Sequence, residues 1–263
     1  MPESHTLDLL LRSLEQRVSL SESDRKAVLG LPFKVKSLDP SAYLVREGDP
    51  PERCGVLLSG FAYRQKVTGD GQRQIIAILI PGEAVDLQNL FFDVADHSVQ
   101  MLTRGEVAII ARKDLIALVR AAPAVNQAVL MQILVEASIS REWVLNVGQR
   151  DAKTRMAHLL CEFAVRMQAQ ALADGLGYEL PITQEQLADA LGMTPVHVNR
   201  TLKALEQTGL ILRNKRTISF PSWERMQDVA DFNRRYLHLR QADPLAPETG
   251  AKAWTARPAS PSA

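Results

Sequence analysis

The chain predicts an α+β fold in three parts: a glycine-punctuated antiparallel β-roll, one long helix, and a C-terminal helix pair followed by a β-hairpin. Three observations carry this expectation. Residues 33–110 alternate short β-prone runs with turn signals. Pro123 opens an apolar-rich helical stretch to about Asn146. Thr183–Leu212 reads as helix, tight turn, helix. With 263 residues, 46% of them apolar, the chain can bury one large or two small cores.

Leu7, Leu10, Leu11, Leu14 and Val18 have helical spacing, and Ser21 starts a second short helix that stops at Gly30 and Pro32. Strands are expected at Tyr43–Arg46, Cys54–Leu58, Phe61–Val67 and Gln74–Ile80, each closed by a Gly-containing turn; Asp70-Gly71 is a hairpin signal. Lys113–Arg120 reads as a short helix. In the long helix Leu130, Ala137 and Val144 recur every seven residues. Ile133 or Leu134, Ser140 or Arg141, and Val147 fall between them. This pattern suits a seam between two subunits, or a helix lying on its own domain. Gly148–Asp151 is a candidate hinge. Ala152–Ala173 is helical, with Met156, Leu159, Leu160, Phe163 and Met167 inward, and Trp223–Tyr236 forms a final helix. The divisions are therefore 1–122 for the roll with its N-terminal helices, 123–149 for the long helix and hinge, and 150–237 for the C-terminal domain. An Ala/Pro/Ser-rich, disordered tail is expected over 238–263.

The helix pair carries the most chemistry. Thr183 with Gln186 forms a capping box, and Leu187, Ala188 and Leu191 supply the apolar face. Gly192 permits the left-handed backbone that opens the turn. Thr194 caps the second helix, with Pro195 at its first position, where a missing N–H costs nothing. Val198, Leu202 and Leu205 form the buried stripe, and His197, Asn199, Arg200 and Lys203 lie off it. Leu210–Leu212, a basic turn Arg213–Arg216 and Thr217–Phe220 then read as a hairpin wing. From Thr194 to Phe220 five Lys/Arg oppose one acid in a chain of net charge +1, a local balance suited to phosphate.

Two distant cysteines, Cys54 and Cys161, fit a reducing compartment. No apolar run reaches the roughly 18 residues of a membrane span, and the N-terminus has no basic leader. A cytoplasmic location, with no membrane partner, is the expectation. Phosphate-loop, HExxH and GxSxG motifs are missing, so no enzyme is expected.

This order of parts resembles the Crp/Fnr family of bacterial transcription regulators, in its alphaproteobacterial branch with a HVNRTLK recognition helix. The matching motifs are Glu47-Gly48-Asp49, Leu58-Ser59-Gly60, Asp70-Gly71, Pro81-Gly82-Glu83, Leu180–Ala188, Gly192, Asn199–Glu206 and Gly209–Ile211, over residues 10–237. The resemblance implies a cyclic-nucleotide-binding-like roll, a dimerisation helix and a winged helix-turn-helix. It also implies a homodimer on near-palindromic double-stranded DNA, with RNA polymerase as a further partner. Arg200 matches the arginine that reads guanine. Val196 stands where a glutamate is common and can touch a thymine methyl; His197 and Asn199 are the candidates for altered reading. Thr183, Thr194, Lys203, Arg213, Lys215 and Arg216 are the expected phosphate contacts. A different class of reading, a small-molecule-binding module acting through a protein partner, predicts no salt-dependent duplex affinity.

The family's cyclic-nucleotide pocket needs a Gly-Glu pair for ribose and an Arg-Ser pair for phosphate. Between Arg73 and Arg104 there is no Lys or Arg, and Val94-Ala95-Asp96-His97-Ser98 occupies the arginine's segment. A buried phosphate needs a paired cation, so cyclic AMP is not expected as ligand. Gly82, Glu83 and Asp86 are the candidate effector-pocket residues. Two cysteines cannot supply four thiolates to an iron–sulfur cluster, and no cofactor or metal is expected. His97 as a haem ligand and Cys54 as a redox switch are weaker possibilities; His158 and Cys161, three apart on a helix, make a poor two-ligand metal site.

Overall fold

The computed structural model describes residues 6–173 and 177–239. It opens with two helices, α1 (Asp8–Glu15) and α2 (Glu22–Leu29), and Ser21 closes a capping box with Asp24. The roll follows as eight strands: β1 (Phe33–Leu38), β2 (Tyr43–Val45), β3 (Arg53–Leu57), β4 (Ala62–Val67), β5 (Arg73–Leu79), β6 (Ala84–Val85), β7 (Ser98–Met101) and β8 (Gly105–Ala111). Two four-stranded antiparallel sheets, ordered β1-β8-β3-β6 and β2-β7-β4-β5, face each other. Leu57, Ala62, Leu79, Val85, Val99, Met101 and Val107 fill the space between them. β4 and β5 form the hairpin expected at Asp70-Gly71, running from Ala62↔Leu79 to Val67↔Arg73.

Helix α3 (Arg112–Ala121) leads into α4 (Pro123–Gln149), whose first residue is the expected proline. Gly148 lies inside α4, so the break is shorter than the expected hinge: only Arg150 and the N-cap Asp151 separate it from α5 (Ala152–Ala169). One face of α4 packs inward through Val125, Val129 and Val135. On the other, Leu130, Leu134, Ala137, Arg141 and Val144 face solvent. Ile133 packs against the core, so the seven-residue pattern runs through Leu134. Among the described residues no single helix is long and apolar enough to cross a membrane.

The C-terminal part contains β9 (Tyr178–Glu179), α6 (Gln184–Leu191), α7 (Pro195–Gln207), β10 (Leu212–Asn214), β11 (Thr217–Ser219) and α8 (Trp223–Ala230). β9 adds a third strand to the wing by pairing with β11, a pairing the two-residue stretch gives no periodicity to reveal. The expected final helix to Tyr236 ends early: Asp231 is left-handed and closes α8, and a 3₁₀ turn covers Arg234–Leu237. α5 likewise stops at Ala169, short of the expected Ala173. The expected tail lies outside the described residues from 240 onward.

The roll and the C-terminal part share one core. Tyr63, Ile75, Ile78, Ile80 and Leu102 of the roll sit in the same apolar cluster as Leu160, Phe163, Leu187, Leu191, Leu205 and Met226.

Candidate nucleic-acid interface

Local chemistry builds the helix pair. Thr183 Oγ1 accepts from Gln186 N at 3.2 Å, and Gln186 Oε1 accepts from Thr183 N at 3.0 Å, which satisfies two otherwise orphaned donors of α6. Gly192 has φ +60°, and the Met193 amide closes back on Ala188 O at 3.1 Å. Thr194 Oγ1 caps α7 by accepting from His197 N. Val198, Thr201, Leu202 and Leu205 face the core. The polar misfit in that stripe is satisfied locally, since Thr201 Oγ1 donates to His197 O at 2.9 Å.

On the opposite side Val196, Asn199, Arg200 and Lys203 fall at i, i+3, i+4 and i+7, which aligns them on one strip. Val196 is 70% exposed, so its methyl groups are available for contact. His197 lies on the flank of the strip, and the cap Thr194 is exposed at its start.

The wing turns at Lys215-Arg216, with Lys215 left-handed at φ +55°. Arg213 and Asn214 belong to β10, so the turn is two residues, not the expected four. A groove of about 260 Å³ runs between the start of α6 and the wing. Thr183, Gln184, Leu202, Arg213, Lys215 and Arg216 line it. Four of the predicted phosphate contacts therefore meet here, while Thr194 and Lys203 stand apart on α7. Arg213 is already engaged, since its Nη2 lies 3.0 Å from Glu206 Oε2.

In the roll, Gly82, Glu83 and Asp86 do not meet around an open pocket. Asp86 is 1% exposed. Its Oδ1 accepts from Arg64 Nε at 2.7 Å and lies 3.0 Å from His97 Nε2. The Arg64 guanidinium also reaches Glu136 of α4 at 3.1 Å. Burial opposes the charge on Arg64, but the Glu136 and Asp86 carboxylates outweigh it and hold its pKa above the ordinary value. Burial raises the Glu136 carboxyl. Glu83 is bound to α5: both its oxygens take Arg166 Nη2, at 2.8 and 2.7 Å. A Cβ on Gly82, at φ +92°, would come within 2.9 Å of the Gln170 side chain. The crevice beside Glu83, Arg64 and Arg166 measures about 40 Å³, room for on the order of one or two waters. Arg64 lies outside the cation-free span between Arg73 and Arg104 and reaches Asp86 from the earlier strand β4.

His97 fills the segment where the arginine was sought. Its Nδ1 is 2.6 Å from Asp96 Oδ1. Burial works against the imidazolium, but Asp86, then Asp96, overcome burial and the repulsion of Arg64, and the pKa is raised. The stabilisation is thus complete below the ordinary value near 6.5 and is lost as pH rises through the higher folded value. Unfolding free energy of the wild type should fall with rising pH above about 6.5, and His97→Gln should flatten that slope. Equal slopes in urea titrations across this window would contradict the assignment.

Cys54 is buried, donates to Val85 O at 3.2 Å and has its thiol pushed up to about 12 by burial, which opposes the thiolate a redox switch needs. Burial also raises the Cys161 thiol. His158 is enclosed by Phe232 and Tyr236, with Nε2 3.2 Å from Glu142. Among the described residues no group of three His, Cys, Asp or Glu could hold a metal ion.

A capped helix-turn-helix with a free polar strip, a basic wing beside it and a β-roll on the same chain defines a DNA-binding transcription regulator. Residues 154–229 match the Crp-like helix-turn-helix domain and residues 35–122 the cyclic nucleotide-binding domain. The chain belongs to the Crp/Fnr family, which consists of regulators rather than enzymes. It is 28% identical to the transcriptional activator protein FnrL of Cereibacter sphaeroides, over 80% of this chain and 85% of that one. It is 25% identical to the nitrogen fixation regulation protein FixK of Rhizobium meliloti, over 76% and 89%. The structure of FixK2 from Bradyrhizobium japonicum superposes with a TM-score of 0.69 at 22% identity, over 76% of this chain and 98% of that one.

Proposed function

We propose that the chain acts in the cytoplasm as a homodimer on a near-palindromic duplex, and that its roll works without cyclic AMP or an iron–sulfur cluster. The supporting observation is the pairing of two free surfaces: the reading strip on α7 and the apolar stripe Leu130, Leu134, Ala137 and Val144 on α4. A stripe of this spacing pairs two helices, and a near-palindromic duplex presents its half-sites in successive major grooves, about 34 Å apart, to the two strips of such a pair. Arg200 donates to guanine O6 and N7, Asn199 pairs with adenine, Val196 meets a thymine methyl, and His197 reads from the flank. Thr183, Thr194, Lys203, Arg213, Lys215 and Arg216 hold the phosphates. RNA polymerase is the further partner, on family grounds. Inside the roll, Arg64 with Asp86, His97 and Glu136 occupies the interior with a self-paired ion cluster. The Arg64 guanidinium is thereby committed to Asp86 and Glu136 rather than offered to a nucleotide phosphate.

Selection of duplexes from a random pool by the purified protein should enrich a palindrome. Arg200→Ala should then weaken the selected duplex roughly 5- to 150-fold and relax preference at one base pair of each half-site. Unchanged affinity and preference would remove Arg200 from the reading set.

A further inference from the structure

The hairpin of β4 and β5 reaches past the roll to the first helix of the reader. Arg73, at the start of β5, donates from Nε to Asp189 Oδ2 on α6 at 2.7 Å, with Nη2 2.5 Å from the same oxygen. Gln74 Nε2 donates to Ala190 O at 3.3 Å. Arg73 is held from behind: its Nη1 lies 3.4 Å from Tyr63 Oη, and that hydroxyl donates to Gln100 Oε1 at 2.6 Å. Ile75 is fully buried in the cluster that contains Leu187, Ala190 and Leu191. At the far end of β5, Arg166 Nη2 donates to Ile78 O at 2.7 Å and clamps Glu83. One strand thus grips α6 at its beginning and α5 at its end.

The two grips differ in character. Glu83–Arg166 is the more enclosed, at 14% and 11% side-chain exposure, whereas Arg73 and Asp189 keep 34% and 28%. A half-exposed pair contributes little to stability. What it can do is fix direction, because Arg73 is braced by Tyr63 and Asp189 sits on the helix that precedes the reading helix. In this pose Val196, Arg200 and Lys203 are exposed and Asn199 is half-buried, so the grip does not cover the reading strip.

We propose that Arg73 is a positioning residue for DNA recognition: through Asp189 it sets the angle of the helix-turn-helix against the roll and α4, and so the spacing of the two reading strips in the dimer. This rests on the dimeric, palindrome-reading function proposed above. It assigns the roll a role in reading that requires no small ligand.

The test uses the full-length protein and the duplex that the wild type selects from a random pool. Arg73→Glu, Asp189→Arg and the double exchange are compared by fluorescence anisotropy at fixed salt. The probes are that duplex, versions with half-sites moved apart or together by one base pair, and an unrelated duplex. Each single variant should bind the selected duplex about 5- to 20-fold more weakly and discriminate less between spacings. Thermal midpoints and unrelated-duplex affinity should stay near wild type, and the double exchange should restore affinity and discrimination. Three results would overturn the proposal: single variants that bind and discriminate like wild type, a parallel fall on selected and unrelated duplexes alike, or no recovery in the exchange. A wild type that selects no palindrome would instead remove the function on which the proposal rests.

Discussion

Arg64→Met is expected to destabilise the folded chain by about 3–5 kcal/mol, the cost of removing one partner from a buried ion cluster. Asp86 and Glu136 both depend on that guanidinium, and Asp86 is 1% exposed. Without it, His97 is the sole cation left on Asp86, and Glu136 of α4 loses its pairing with β4. The loss should show as a lower urea midpoint with an unchanged denaturant slope. Arg64→Met combined with Asp86→Leu should recover part of the loss, because a buried pair replaced whole by apolar groups costs little. A single-variant loss under about 1 kcal/mol would mean that water, not Arg64, satisfies the carboxylates.

The double variant Leu134→Glu, Val144→Glu should convert the proposed homodimer to a monomer. Both side chains are more than half exposed in the single chain, at 52% and 73%, so the fold itself should be unaffected. Two carboxylates introduced on each helix face their counterparts across the seam, and like charges there are unfavourable. Sedimentation equilibrium reads the outcome directly. Affinity for the palindrome should fall at least about 100-fold, since the second half-site is no longer bound at high effective concentration. A variant that stays dimeric would place the subunit contact elsewhere.

Local signals in the sequence were the most readable. The capping box at Thr183 and Gln186, the left-handed Gly192 and Pro195 at the head of α7 each depend only on neighbours within four residues, and their chemistry determines geometry on its own. The Asp70-Gly71 hairpin is of the same kind. The seven-residue pattern of α4 was legible too, yet the choice between Ile133 and Leu134 required knowing which side the roll covers. What could not be read was long-range. Arg64 meets Asp86 across 22 positions and Glu136 across 72, and no spacing rule links residues on different strands and a helix. Glu83 illustrates the same limit: in sequence it belongs to a Gly-Glu pair suggestive of a sugar contact, while in the fold its partner is Arg166. The strand β9 and the early end of α8 at Asp231 likewise follow from packing that short segments do not encode.

The core shared by Ile75, Ile78 and Ile80 with residues beyond Phe232, as late as Leu237, has a consequence for biosynthesis. The roll's strands leave the ribosome first, and roughly 130 residues separate Leu102 from Phe232. At typical elongation rates this face waits on the order of ten seconds for its cover. During that interval Ile75, Ile78 and Ile80 are open to other nascent chains or to chaperones, so slower translation downstream of the roll should lengthen the aggregation-exposed stage of synthesis.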